Sequence, residues 1–375
     1  MTERGAATER IFLAYVLLWL SGTAIRIPIL AIPPILPYLQ NELKMSGTEL
    51  GLLSGIPMIV LAIIALPGST IVRSVGALNA LMLGLLVTAV GSALRGFTST
   101  TLMLLATTAV MSVGIAIAQP ALPMIVRQWL PSRIGFATSI YSTGMVAGCI
   151  FPSGMTIPII LPLVHESWRG SLIAWSSAIF VTLILLWALS PRNDIPADSE
   201  RTKAFSLAGL DLGVIWRIGL IFGANNCVYF GTNAFIPPLL IEAGQQNLVT
   251  SALTAYNTVQ LFGSLAVLAL SRRMERRRWP YIGAGICILL NLAWLAFSSG
   301  ETTVYAAAML GFFSGITLTT GLMLPPLLSD PSEVAKTSAA MFTISYTIAM
   351  IGTVVGGAAW DLFGHPRAAF GVLAL

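Results

Sequence analysis

The sequence predicts an all-α polytopic membrane protein, and its composition and the lengths of its apolar runs support that prediction. Of the 375 residues, 56% are hydrophobic and 9% are charged, whereas a soluble domain typically has about 25% charged residues. Apolar runs at or above the ~18-residue length of a spanning helix recur along the whole chain. A transmembrane barrel would instead show short segments of alternating hydrophobicity.

Polar residues divide the chain into apolar spans, and the longest polar connector follows the sixth span. We expect eleven complete spans and the start of a twelfth, which is cut off at Leu375. We therefore predict an N-terminal six-helix bundle at 1–190, a cytoplasmic linker at 191–212 and a C-terminal six-helix bundle at 213–375. The spans cover residues 11–39, 47–71, 77–94, 101–126, 135–163, 170–190, 213–240, 249–270, 280–298, 302–328, 335–360 and 366 onward.

The basic residues predict the orientation of these spans. With the N-terminus in the cytoplasm, fifteen Lys and Arg residues fall in inside segments, and the outside ones hold only Lys44, Arg95, Arg169 and Arg367. Cytoplasmic loops carry such an excess, so we expect a multi-pass protein of the inner (cell) membrane. The net charge of +5 then reflects topology and does not indicate nucleic-acid binding. No cleavage site follows the first apolar run, which we expect to be a retained helix.

Short motifs recur at equivalent places in the two predicted halves. The segment "IPPILPYLQNELKMS" (32–46) ends the first span, and "IPPLLIEAGQQNLVT" (236–250) ends the seventh. Likewise, "ALPMIV" (121–126) in the fourth span corresponds to "MLPPLL" (323–328) in the tenth. Such matches indicate two parallel repeats of six helices.

Twelve spans, a central connector and these repeats resemble the major facilitator superfamily over essentially the whole chain. Within it, the first-span motif around "RIPILAIPPILPYLQNELKMS", the motif "IYSTGMVAG" (140–148) and the motif "GGAAWDLFG" (356–364) resemble the cyanate and nitroimidazole transporter branch. The resemblance implies a twelve-helix fold of two six-helix bundles around a central cavity. It also implies a transporter that works as a monomer.

One motif departs from the family pattern. The loop between helices two and three usually reads Gly-x-x-x-Asp-Arg-x-Gly in this superfamily. Here "GSTIVRSVG" (68–76) has Val72 in place of the acid, and Gly76 comes one position late. The usual cytoplasmic latch, which depends on that Asp, is therefore not expected in the N-terminal half.

The distribution of acidic residues excludes several functional classes. All fifteen Asp and Glu residues lie in tails, loops or helix ends, and His165 and His365 lie in outward loops. A membrane-embedded carboxylate or His is the usual proton carrier of drug antiporters and sugar symporters, and the chain offers none. No nucleophile–base set, P-loop or metal cluster is present either. We therefore expect no enzyme activity, no cofactor and no metal.

Arg26 is the one ionised residue expected near the bilayer midplane. Placing an Arg there costs roughly 2.5–3.5 kcal/mol on insertion scales. No acidic residue is expected at that depth, so its natural complement is an anion, and the guanidinium fork suits a carboxylate or a similar planar or linear anion. The alternative is a packing role in which Arg26 binds backbone carbonyls freed by the nearby prolines.

Neutral polar side chains at similar depth complete the predicted substrate site. Asn226, Tyr229 and Asn233 share one face of the seventh span at i, i+3 and i+7. For each such residue the alternative is an interhelical hydrogen bond without a ligand role. The remaining predicted site residues are Gln119, Tyr141, Tyr256, Asn257, Gln260 and Tyr346. Prolines of the first and seventh spans are predicted to bend gating helices, namely Pro28, Pro33, Pro34, Pro237 and Pro238.

These features predict a secondary active or facilitative transporter of a small anion or weakly acidic organic solute. It would work by alternating access in the lipid bilayer, with Arg26 binding the anionic group. Efflux of neutral or weakly charged drug-like compounds is the alternative within transport. A non-transporting membrane sensor or scaffold is the alternative from another class.

Overall fold

The computed structural model describes residues 3–45, 47–191, 212–274 and 277–374, and no strand occurs in these ranges. Within these ranges, eleven long helices and a short twelfth follow one another along the chain. They are α1 (Glu3–Leu30), α2 (Gly47–Val75), α3 (Ala77–Arg95), α4 (Thr101–Trp129), α5 (Ile134–Met155), α6 (Trp168–Leu189), α7 (Leu212–Glu242), α8 (Val249–Met274), α9 (Trp279–Phe297), α10 (Glu301–Leu328), α11 (Val334–Phe363) and α12 (Arg367–Leu373).

The first span is interrupted, which corrects the prediction of a continuous span over 11–39. Helix α1 ends at Leu30, and a 3₁₀ turn (Pro33–Ile35) and a short helix (Leu36–Leu43) follow it. The cause is local: Pro33 and Pro34 have no N–H, so the carbonyls four residues earlier cannot complete their helical hydrogen bonds. The prolines therefore end the helix where bending was predicted.

Nine stretches of the described residues are long and apolar enough to cross a membrane. Helix α2 adds a shorter apolar stretch, Gly55–Ile64. With α7, these stretches account for the eleven predicted complete spans. The prediction of an all-α polytopic membrane protein is confirmed.

The helix packing repeats after six helices. Helix α1 packs on α5 as α7 packs on α11; α2 and α3 pack on α4 as α8 and α9 pack on α10. The two sets meet where α2 contacts α11 and where α5 contacts α8. The predicted boundaries at 190 and 213 stay a prediction, because residues 192–211 lie outside the described part of the chain.

The buried apolar residues show how the two sets are closed against each other. At the end where α4 and α10 terminate, which we call the Arg127 face, one continuous core includes Leu122 and Ile125 together with Phe222, Leu322 and Phe342. At the opposite end, which we call the Glu42 face, each set has a separate core. The sets are therefore packed tightly at the Arg127 face and are separate at the Glu42 face.

A polar cluster anchors the segment that follows α1. The Glu42 carboxylate accepts hydrogen bonds from Arg169 Nη1 and, at 2.6 Å, from Trp168 Nε1. The Arg169 guanidinium also lies 4.3 Å from the Trp168 ring centroid and donates from Nε to the carbonyl of Thr98. These contacts join the helix Leu36–Leu43 to the start of α6 and to the α3–α4 connection.

We expect this anchor to depend on pH. The hydrogen bonds from Arg169 and Trp168 lower the pKa of Glu42, so the stabilisation is present above the ordinary carboxyl pKa and is lost as pH falls through the lowered value. Because the pair is exposed and screened, Glu42→Gln should lower the Tm by only about 1–3 °C at neutral pH. Thermal unfolding from neutral to acidic pH tests this, with the exposed Glu166→Gln as control. If the Tm of Glu42→Gln stayed below that of the wild type at acidic pH, this expectation would be wrong.

Candidate functional site

Arg26 lies on α1, which packs mainly on α5 and α6 of its own set, and its side chain reaches Tyr346 on α11 of the other set. It is 8% exposed, and its Nη2 lies 3.5 Å from the hydroxyl oxygen of Tyr346. That hydroxyl lies 3.1 Å from Nε2 and 3.3 Å from Oε1 of Gln119. The contact to Tyr346 is at the long limit for a hydrogen bond. No ion pair joins Arg26 to a carboxylate in the described part of the chain.

Two glycines bring the backbone of α5 close to Arg26. At Gly144 a Cβ would overlap the carbonyl oxygen of Trp19, and at Gly148 it would lie 3.0 Å from the Cβ of Arg26. Thr23 Oγ1 donates to the carbonyl of Gly144 at 3.0 Å. Small residues allow such close contact between membrane helices. The motif "IYSTGMVAG" thus supports the helix that carries Arg26.

A small cavity of about 20 Å³ opens beside the Arg26 guanidinium between the two sets of helices. By the same measure a cavity needs roughly 10–15 Å³ to hold one water molecule, so in this conformation it has room for little more than that. A larger cavity of about 580 Å³ lies at the Glu42 face, away from Arg26. The small cavity is lined by Arg26, Met145, Val146, Cys149, Asn225, Asn226, Tyr229, Phe230, Gln260 and Leu318.

Four of the predicted site residues therefore line one cavity, namely Arg26, Asn226, Tyr229 and Gln260. Gln119 and Tyr346 contact Arg26 or its partner, as described above. The cavity wall supplies neutral amide and hydroxyl groups around one cation. Asn226 Nδ2 also donates to Ser345 Oγ at 3.2 Å, which joins α7 to α11.

Asn233 and Asn257 form an interhelical network next to this cavity. Tyr229 donates to Asn257 Oδ1, Asn257 Nδ2 donates to Asn233 Oδ1 and to the carbonyl of Leu253, and Asn233 Nδ2 donates to the carbonyl of Tyr229, all at 2.9 Å. Both amides are thus already hydrogen-bonded. A ligand role for these two residues stays a prediction.

Two predicted tyrosines and the prolines stand apart from the cavity lining. Tyr141 lies in the core of the Arg127 face. Tyr256 is fully buried and stacks on Tyr229, with 5.8 Å between ring centroids. Of the predicted gating prolines, Pro28 lies inside α1, and Pro33 and Pro34 begin the 3₁₀ turn. The backbone of 237–238 belongs to α7, and the side chains of Pro237, Pro238 and Pro33 lie outside the described part.

Six of the ten residues that line the cavity were not predicted as site residues, namely Met145, Val146, Cys149, Asn225, Phe230 and Leu318. Cys149 lies beside Arg26, with its Sγ 3.9 Å from the hydroxyl oxygen of Tyr229. Asn225 and Phe230 flank residues that were predicted. No local signal marked Cys149, because it follows Gly148 by one position and so lies about 100° around the helix from the glycine face.

The Asp-based latch of the family was not expected here, and at the Arg127 face another contact joins the two sets of helices. Val72 is fully buried in the shared apolar core. Arg127, in the last turn of α4, donates from Nη1 to the carbonyl of Pro326 at 2.7 Å and to the carbonyl of Ser329. The last carbonyls of a helix lack intrahelical partners and carry partial negative charge. Arg127 therefore joins the two sets through the end of α10.

We expect Arg127→Ala to open the Arg127 face. Charge-assisted hydrogen bonds of partly buried groups contribute on the order of 1–2 kcal/mol to the stability of the closed conformation. The fraction of molecules in which the Arg127 face is open should therefore rise about tenfold. Spin labels at the exposed positions 133 and 330 should then report a longer distance between the sets. The exposed Arg278→Ala serves as control, and an unchanged distance distribution in the Arg127 variant would contradict the expectation.

A family model described as Major Facilitator Superfamily matches residues 11–357. The chain belongs to the Major Facilitator Superfamily. Its relatives include the 2-nitroimidazole transporter of Escherichia coli K12, with 26% identity over 92% of this chain and 87% of that protein. The cyanate transport protein CynX of the same organism is 27% identical over 69% of this chain and 67% of that protein.

Solved structures of the superfamily share the fold. The proton:xylose symporter XylE bound to 6-bromo-6-deoxy-D-glucose superposes with a TM-score of 0.77 at 13% identity, over 98% of this chain and 93% of that one. The predicted major facilitator fold is confirmed. The protein is a multi-pass membrane transporter with a small-molecule substrate, as its superfamily and relatives indicate, and not an enzyme.

Proposed function

We propose that the protein transports a small anion or weakly acidic organic solute, and that Arg26 binds the anionic group. The single observation that supports this most strongly is the state of Arg26: a buried cation that meets only neutral partners in the described residues. A buried charge without a counter-charge is costly. An anion in the adjacent cavity would supply that counter-charge, and the amides and hydroxyls of the wall would bind its remaining atoms.

The size of the cavity favours a small solute. The space beside Arg26 is about 20 Å³, roughly the volume that one or two water molecules need, so an anion of a few atoms requires less rearrangement than a large solute. A drug-sized molecule requires several hundred Å³. One relative is named a cyanate transport protein, and cyanate is an anion of three atoms, which agrees with this proposal.

Uptake into proteoliposomes tests the proposed substrate class. A panel of small inorganic and organic anions, with cyanate as the first probe, should include members that enter saturably and exchange against internal anion. Such counter-flow fits a protein in which no carboxylate is expected at midplane depth to carry protons. Uptake driven by an imposed pH gradient, without counter-flow, would instead indicate proton coupling. No saturable uptake of any anion would contradict the proposal.

Efflux of a planar, weakly charged compound is the second candidate. A relative named as a 2-nitroimidazole transporter favours it. An aromatic wall favours it as well: Tyr229 and Phe230 line the cavity, and the ring centroids of Phe230 and Tyr346 are 6.3 Å apart. In that case nitroheterocycles would be transported and anions would not compete. If a broad thermal-shift screen found no ligand for the protein, that result would favour the sensor or scaffold instead.

For the orientation we propose a cytoplasmic N-terminus in the inner membrane, on the basis of the excess of basic residues in the predicted inside segments. The Arg127 face is then cytoplasmic, and the site is closed from that side. We further propose the boundaries 1–190, 191–212 and 213–375 for the two bundles and their linker, and a monomer as the working unit.

A further inference from the structure

A second arginine is buried next to α1, on the side away from the cavity. The count of basic residues placed Arg95 in an outside connection, but the structure places it in the last turn of α3, where it is 0% exposed. Its Nη2 donates to the carbonyl of Pro28 at 2.9 Å and to Ser92 Oγ at 2.8 Å. Its Nε and Nη1 are buried without a hydrogen-bond partner among the described residues. No ion pair joins it to a carboxylate in that part of the chain.

The end of α1 offers the acceptors that a guanidinium requires. Because Pro33 and Pro34 have no N–H, the carbonyls of Ile29 and Leu30 have no helical donor four residues later. The terminal carbonyls also carry the negative end of the helix dipole, which favours a cation. Arg95 thus takes a role close to the alternative considered for Arg26, because it binds the carbonyl of Pro28 in the last turn of a helix that ends before two prolines.

The position of Arg95 relative to Arg26 indicates how it could act. Pro28 follows Arg26 by two residues, which is about 200° around a helix of 3.6 residues per turn. Arg95 therefore contacts α1 from behind while Arg26 faces the cavity, and it is not among the residues that line the cavity. Any effect of Arg95 on the solute must pass through α1.

We propose that Arg95 is a positioning residue that holds the end of α1 against α3 and thereby keeps Arg26 directed into the cavity. Its unpaired Nε and Nη1 are donors available to the carbonyls of Ile29 and Leu30 when this helix end moves during transport. Buried donors are otherwise almost always paired, so two donors without a partner among the described residues, at a helix end whose last carbonyls lack helical donors, indicate an exchange of partners. This proposal rests on the proposed function for its link to the solute.

Hydrogen exchange and anion affinity, both measured on the full chain, test this role. Arg95→Met keeps the length of the side chain but removes every donor, so we expect faster amide exchange in residues 24–30 and an anion affinity about tenfold weaker. Arg95→Lys keeps the charge and one donor to Pro28, and it should recover the affinity to within about threefold. Ser92→Ala is the matched control, since it removes only the other partner of the same Nη2, and it should behave like the wild type.

The outcomes separate this proposal from the function it rests on. A folded Arg95→Met protein with wild-type exchange in 24–30 and wild-type affinity would overturn it. Faster exchange with unchanged affinity would overturn the positioning of Arg26. If the wild type binds no anion, the proposed function fails, whereas faster exchange in the Met variant would still support the clamp on α1.

Discussion

Arg26→Ala should abolish most anion transport without unfolding the protein. A hydrogen bond to a charged group contributes roughly 1.5–3 kcal/mol, so the loss of the guanidinium should weaken anion affinity about 10- to 100-fold. The fold should tolerate the change, because the remaining partners, Tyr346 and Gln119, still contact each other. The cost of burying an unpaired cation also disappears, so we expect an equal or higher Tm. Uptake into proteoliposomes and thermal unfolding measure the two effects.

Two further variants make this test specific. Arg26→Lys keeps the charge but not the planar fork, and it should retain only part of the affinity. Arg277→Ala removes an exposed arginine at the Arg127 face and should transport normally. A lower Tm with wild-type affinity in Arg26→Ala would show that Arg26 is a packing residue, and the central proposal would then be wrong.

Gly144→Ala should strongly destabilise the contact between α1 and α5. A Cβ at this position would overlap the carbonyl oxygen of Trp19. The overlap can be relieved only if α1 and α5 move apart. Overpacking of this kind typically costs about 1–3 kcal/mol. Because α1 carries Arg26, we expect a clear fall in Tm together with a loss of transport, measured by thermal unfolding of the purified protein and by uptake.

Gly283→Ala on α9 is the matched control. It is the same substitution inside a helix, but a Cβ there meets nothing within 4 Å, so the only expected effect is a gain of up to about 1 kcal/mol in helix propensity. If the two variants had the same Tm, the close approach of α1 and α5 would not be a determinant of stability.

The order of the membrane-spanning helices could be predicted from the sequence because insertion into the membrane depends on the local composition of each segment. Every apolar run of sufficient length must form a helix to satisfy its backbone in lipid. The predicted spans therefore correspond one for one to α1–α12. The detail that failed was the end of α1, where Pro33 and Pro34 end the helix rather than bend it.

The site was predictable only in part. Arg26 was identifiable because a cation in an apolar run is rare and expensive. Neutral residues carry no such signal: Asn226 and Gln260 line the cavity, whereas Asn257, with the same amide chemistry, is not among the lining residues and bonds Asn233 on α7 and Leu253 on its own helix. Cys149 and Phe230 were missed for the same reason, since nothing in an apolar side chain indicates which helix it will face.

The sequence by itself determined the class of protein, the number of helices and the presence of one unpaired cation in the first span. Hydrophobicity and charge are properties of single residues, and they determine directly whether a segment is stable in the bilayer. Only the tertiary structure decided which neighbours surround that cation, and that Arg95 rather than Arg26 binds the free end of α1. Those relations depend on how helices far apart in the chain pack together, which no local pattern encodes.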